Sequence, residues 1–358
     1  MELPGADSTD SRAWKLQAEI YAGLTHQLQS IGDALAWTVL GYRRDVLVSF
    51  ARNHSPGPMD PSKEGTQSEI DFVSRQWQQH GRLALMHDLT NCLRIGDVTV
   101  LLPEQGGVEI HEIKTNPKHK DPAQLVRPRT AVRAVTRGEP LPGDDPANRL
   151  ITVPLPYTTH LDLLRTGIAL ARSRGSQTVA VPGGRAIEVY HVPAIPNFGD
   201  ADECAAVVTK RRGEASRRAG IRGDERMLQT SAGLAGTSPF LPPWGIYPLP
   251  PADCADLIAN QLIFATNLSV AILQDALRNA GVLSQRTAPG DRARADGTLL
   301  RIRRGATGSG LGVMHFHPLL MELVELNTWA SGVAHVLEHG RPGTKPWPVY
   351  QDETHAWR

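Results

Sequence analysis

The sequence predicts an α/β protein, and three observations carry that expectation. Short runs rich in β-branched residues, such as residues 97–102 and 108–114, are bounded by turn-forming residues and read as strands. Longer stretches repeat an apolar residue every three or four positions and read as helices. The hydrophobic content of 41% is spread over 358 residues, enough for a sizeable core. Nowhere does it condense into the run of about 18 apolar residues that a membrane-spanning helix needs. The expected architecture is a mixed sheet flanked by helices over residues 62–195. An N-terminal helical segment at 1–60 precedes it and a C-terminal α+β region at 200–358 follows.

Residues 11–52 read as helix because Leu16, Ile20, Leu24, Leu28, Ile31, Leu35 and Val39 form one apolar stripe, with a second helical piece at 44–51. Pro56, Gly57, Pro58 and Pro61 then form a breaker cluster and a boundary. Thr66 or Ser68 caps a helix running to His80, in which Ile70, Val73 and Trp77 share a face, and Gly81 ends it. Strands are expected at 83–86, 97–102 and 108–114, the last two joined by a Pro/Gly turn. Asp121 and Pro122 start another helix, which Pro128 kinks or ends. A strand at 150–153, a helix from Thr159 to about residue 173, and strands at 178–181 and 187–192 complete this part. Residues 193–200 mark a second boundary. Beyond it come a basic segment, a proline-rich stretch at 239–251 and helices expected at 252–264 and 267–280. A hairpin pairing 299–303 with 311–316 closes the series, an order also found in winged-helix domains.

The formal net charge is only +1, but it is unevenly distributed. Residues 114–137 hold seven basic residues against the single acid Asp121, and residues 207–226 hold seven against three acids. Local basic patches on an otherwise acidic chain suit a phosphate backbone, because attraction depends on the local field. Solvated helix faces are the plainer reading. Cys92, Cys204 and Cys254 form no CxxC pair, so reduced thiols are expected rather than disulfides or a zinc ribbon. The first residues, Met1 to Asp7, are acidic and lack the basic and apolar regions of a secretory signal, so a cytoplasmic location is expected.

The chemistry concentrates in residues 95–116. In the strand at 108–114, alternation places Val108, Ile110, Glu112 and Lys114 on one face and Glu109, His111 and Ile113 on the other. The first face starts apolar and ends with a carboxylate beside an ammonium, whose desolvation needs compensation. A divalent cation held by Asp97 and Glu112 would supply it, since hard cations take carboxylate oxygens. Lys114 beside that cation could orient a nucleophile and stabilise a pentacovalent phosphate.

Asp97, fourteen intervening residues, then Glu112-Ile113-Lys114 resembles the motif of the PD-(D/E)XK phosphodiesterase superfamily, with its restriction-endonuclease-like fold. The resemblance covers roughly residues 65–192, where a helix, a three-stranded meander, a helix and a strand follow in that superfamily's order. It implies Mg²⁺ or Mn²⁺ as cofactor, an additional acid from the first helix, for which Glu69 is the candidate and Asp71 the second choice, and a supporting glutamine at Gln124. Gly96 stands where the name-giving proline would be. Lys118, Lys120, Arg127 and Arg129 would then hold phosphates beside the site, and Arg211, Arg212, Arg217 and Arg218 would form a second nucleic-acid-binding group. Asp88 is a further acid or a turn residue. His111 is expected to be structural, and His315 and His317 to alternate on one strand without a matching ligand pattern. The glycine-rich stretch at 305–312 lacks the Lys-Ser/Thr of a phosphate loop and reads as a hairpin turn.

The expected function is a metal-dependent nuclease acting foremost on DNA. The alternative is a non-catalytic nucleic-acid-binding protein that retains the fold. A third option is a protein-interaction module in which Glu112 and Lys114 form an ion pair. A homodimer built through the N-terminal helices, or a partner protein, fits a cutter of both strands, and no membrane association is expected.

Overall fold

The computed structural model describes residues 8–51, 64–102, 104, 107–113, 148–195, 201–221, 226–232, 234, 241–288, 298–340, 345–351 and 353–357. They fall into two compact units, the first drawn from residues 1–40, 47–142 and 235–245 and the second from 41–46, 143–234 and 246–358. The protein is mixed α/β, with helices and small, mainly antiparallel sheets.

In the first unit, α1 (Ser8–Val39) ends where Gly41 and Tyr42 take positive φ angles of 66° and 61°. The chain then restarts as α2 (Arg44–Ala51). Helix α3 (Glu64–His80) precedes a three-stranded antiparallel meander of β1 (Ala84–Met86), β2 (Val98–Leu102) and β3 (Gly107–His111), as its periodicities predict. The registers Met86↔Val98 and Val98↔His111 put Met86, Val98, Val100 and Leu102 on one face. Ile70, Phe72 and Val73 of α3 pack against that face, each buried aliphatic contributing about 1.5–3 kcal/mol. Helix α1 joins this unit through an unexpected side. Gly32 lies so close to the Leu89 carbonyl that a Cβ would stand 1.9 Å from the oxygen. Buried Asp33 accepts the Asn91 and Cys92 amides at 2.6 and 3.0 Å. The leucine-rich stripe that announced the helix faces outward instead.

The second unit centres on a four-stranded antiparallel sheet. Its order is β5 (Ser176–Val181), β6 (Arg185–His191), β8 (Leu262–Ser269) and β7 (Arg226–Thr230). Helices α4 (Leu161–Arg174) and α5 (Ala201–Arg218) pack on β5 and β6. The strand expected at 150–153 is β4 (Asn148–Val153), which pairs in parallel with β12 (Lys345–Tyr350). The stretch from 62 to 195 is thus divided between the two units: β4 pairs with β12, and the β5–β6 pair joins β8, both partners lying in the C-terminal part.

The two helices expected at 252–264 and 267–280 are corrected to α6 (Pro251–Ile258), the strand β8, and α7 (Val270–Asn279). Strand β8 is buried along nearly its whole length, so it lacks the alternation that marks a half-exposed strand. Its insertion also breaks the winged-helix order. A hairpin is observed with a corrected second strand: β10 (Leu300–Arg304) pairs with β11 (Thr307–Leu311), so most of the glycine-rich stretch expected to turn is itself strand and 313–316 is a 3-10 turn, while β9 (Leu283–Arg286) adds a third strand. His315 and His317 lie in a 3-10 turn and at the start of the short helix α8 (His317–Leu320), not on a strand. Helix α9 (Leu326–His339) packs on α7, β10 and β11.

A buried ionic cluster ties this unit together. Arg44 bonds Glu353 and both oxygens of Glu322, and the Tyr157 hydroxyl donates to Glu322. Cys92 and Cys254 are buried free thiols. Among the described residues, no helix is long and apolar enough to cross a membrane.

Candidate functional site

The site forms at the end of the meander where β2 begins and β3 finishes. Gly96 makes the turn into β2 with φ of +81°, and a Cβ there would meet Ile110 Cγ2 at 2.6 Å and the His111 oxygen at 3.0 Å. Glycine is therefore required by both backbone conformation and space.

Asp97 follows immediately. Its amide donates to the His111 oxygen at 2.8 Å, while Val98 is itself paired with His111. Two successive residues thus address one on the facing strand, an arrangement that re-aims a side chain as a bulge does. The Asp97 carboxylate accepts the Ile113 amide at 2.6 Å, which fixes one oxygen against the chain just past β3. Glu112 is the residue between, so its backbone lies beside Asp97.

Helix α3 brings Glu69 to the same place. Its carboxyl is pushed up to about 7, first by partial burial and then by the negative charges of Asp97, Asp88 and Glu112. Asp88, in the 3-10 turn His87–Leu89, therefore belongs to this group of acids. The charges that reach Glu69 on α3 thus come from the turn after β1, the residue before β2 and the residue after β3. His111 is turned away from them, its ring 4.9 Å from Phe72 and its Nε2 3.3 Å from Glu109, in keeping with a structural role.

One residue under the site had no signal in the sequence beyond its place at a strand end. His87 is buried, with Nδ1 2.9 Å from the Gly96 oxygen and Nε2 2.7 Å from the Thr99 hydroxyl, and its amide donates to the Asp97 oxygen at 2.8 Å. Burial foremost lowers its pKa to about 4, so the ring is neutral. As a neutral ring it donates from Nδ1 to Gly96 and accepts the Thr99 hydroxyl proton, which clamps the turn that presents Asp97.

The donor set consists of carboxylate oxygens, the kind a hard cation such as Mg²⁺ takes. Among the described residues, however, no three His, Cys, Asp or Glu side chains stand together closely enough to hold a metal ion. Lys114, Lys118, Lys120, Gln124, Arg127 and Arg129 lie outside the described residues.

The second basic group is on α5, and its members are not equivalent. Arg212 reaches the buried Glu188 at 3.1 Å, and that carboxylate also accepts from Asn267 at 2.6 Å and Tyr190 at 2.7 Å. Arg212 is thereby committed to the protein rather than to a phosphate. Arg211 donates to the Ser176 hydroxyl, Arg217 to the Gly213 oxygen at 3.4 Å, and Arg218 is exposed. A different pair was missed. Arg301 and Arg303 project from the solvent face of β10, flanked by Gly310 and Gly308 on one side and by Gln285 and Leu283 on the other. Among the described residues neither has a carboxylate partner. Their alternation in Arg301-Ile302-Arg303 was the available signal.

No protein-family model, curated protein or solved structure matches this chain.

Proposed function

We propose that this chain is a metal-dependent nuclease that hydrolyses phosphodiester bonds, foremost in DNA, with a restriction-endonuclease-like core around the meander. The observation that carries the reading is that the negative charges of Asp97, Asp88 and Glu112 all reach the half-buried Glu69 at one end of the meander, where Asp97 is fixed by the Ile113 amide. Asp97 and Glu112 would hold Mg²⁺ or Mn²⁺, with Glu69 assisting. When bound, the cation supplies Lewis-acid activation of water and neutralises charge on the phosphate.

The chain's own residues do the rest. Gly96 and His87 fix the turn that aims Asp97, and the Ile113 amide holds one of its oxygens. Lys114, two residues beyond Glu112, orients the attacking water and stabilises the charge that develops on the phosphate. Gln124 supports the site, and the basic run from Lys118 to Arg129 tracks the nucleic-acid backbone.

The test is cleavage of labelled single- and double-stranded oligonucleotides with Mg²⁺, Mn²⁺ or EDTA, wild type beside Lys114→Ala. The expected result is metal-dependent cutting that falls by at least about 10²–10³-fold in the variant. Full activity in Lys114→Ala would remove that residue from the mechanism.

A second reading is a nucleic-acid-binding protein that keeps the fold without cutting. It is favoured by the exposed pair Arg301 and Arg303 on β10. It predicts salt-dependent binding that is indifferent to Mg²⁺.

A further inference from the structure

Helix α1 is 32 residues long, yet every residue from Arg12 to His26 is exposed. An isolated helix of about that length is marginal in water. Only the second half packs into the first unit, through Gln29, Ser30, Gly32, Asp33, Ala36 and Trp37.

The other side carries a regular pattern. Trp14, Tyr21, Leu28 and Leu35 recur every seven residues, and Gln17, Leu24, Ile31 and Thr38 do the same three positions later. This alternation of three and four is the heptad spacing of a coiled-coil seam. At about 100° per residue, the middle of the seam lies opposite the middle of the packed side. Its apolar members remain exposed, from 43% at Leu35 to 70% at Trp14. The two aromatic and four aliphatic side chains leave on the order of 700–800 Å² per chain to bury, close to the roughly 800 Å² that each partner gives to a standard stable interface.

Three features name the occupant. The solvent-facing positions that flank the seam are Ala18 and Thr25 on one side and Ile20 and Gln27 on the other, Gly32 and Ala34 being packed against Leu89 and Gly245 of the same chain, so an identical helix laid against it meets no like charge. The seam is continuous through four heptads, which makes it self-complementary, as a two-fold interface must be. A lipid surface would select a Lys/Arg-rich polar face, whereas α1 has only Arg12 and Lys15 against Asp10, Glu19 and Asp33.

We infer that the α1 helices of two copies of this chain pair along residues 14–38 as a two-stranded coiled coil, making the protein a homodimer. The pairing needs nothing from the acidic site and stands independently of the nuclease reading.

The experiment is sedimentation velocity on the full chain across about 1–50 µM, with wild type beside a Leu24→Glu/Ile31→Glu double variant. Both positions are exposed in the single chain, so the substitutions leave its fold intact, which a circular dichroism melt verifies. A wild-type mass of two chains is expected, with self-association weakened at least about a hundredfold in the double variant. Oxidative crosslinking provides a second readout in a Cys204→Ser background. Leu28→Cys alone should crosslink if the helices are parallel, and Leu24→Cys mixed with Leu28→Cys if they are antiparallel, while Glu19→Cys on the far side should not. A wild-type chain that stays monomeric across the range, or an assembly that survives the double substitution, overturns the inference.

Discussion

Replacing Glu69 by Gln removes one of four crowded carboxylates while keeping the size and shape of the side chain. In the folded protein this carboxyl titrates at about 7 against an ordinary value of 4.5, through partial burial and the charges of Asp97, Asp88 and Glu112. Between those two pH values the folded state binds more protons than the unfolded chain, so stability falls as pH rises through the window. The contribution is fully present below 4.5 and lost above about 7. At about 1.4 kcal/mol per pH unit the unscreened cost at high pH is about 3 kcal/mol. The side chain keeps contact with water, and screening reduces that to about 1–2 kcal/mol. Urea denaturation in EDTA should therefore find Glu69→Gln equal to wild type near pH 4.5 and more stable by about 1–2 kcal/mol near pH 8. A variant no more stable than wild type at pH 8 would refute the reasoning, because it would mean that burial and the neighbouring acids do not hold the Glu69 carboxyl above its ordinary value.

Three other substitutions test separate parts of the account. Gly96→Ala forces a Cβ against Ile110 and a side chain into positive φ, and should cost about 1–3 kcal/mol in a denaturant midpoint and displace Asp97. Arg44→Met leaves the Glu322 and Glu353 carboxylates without their buried cation, and should destabilise the second unit by about 3–5 kcal/mol, read in a thermal melt. Arg301→Glu with Arg303→Glu should weaken nucleic-acid binding and reduce the slope of log affinity against log salt by about 2, followed by fluorescence anisotropy.

How much of this was legible depends on which physical signal each element carries. Helix α3 and the meander were readable because α3 has an apolar face and the strands have clear turn residues, and the placing of Asp97 beside the backbone at Glu112 followed from the turn between the strands. Helix α1 was recognisable as a helix, but not the side by which it packs. Gly32 and Asp33 join the core by small size and hydrogen bonding, which leave no mark in an apolar pattern. Strand β8 was hidden by burial on both faces, which erases the period of two. The pairing of β4 with β12 joins segments far apart in sequence and has no local signature. Glu69 was reached through the superfamily resemblance, not from its own helix. Counting basic residues could not show that Arg212 is held by the buried Glu188, because an ion pair across elements exists only once the sheet has formed.

The central claim is that Asp97 and Glu112 jointly hold a divalent cation. Mn²⁺ binding followed by electron paramagnetic resonance, with wild type beside Asp97→Asn and Glu112→Gln, tests it without requiring a substrate. The account predicts saturable binding to the wild-type chain that either substitution abolishes or weakens at least about tenfold. Binding that both variants retain unchanged, or a wild-type chain that takes up no Mn²⁺ at millimolar concentration, would contradict it.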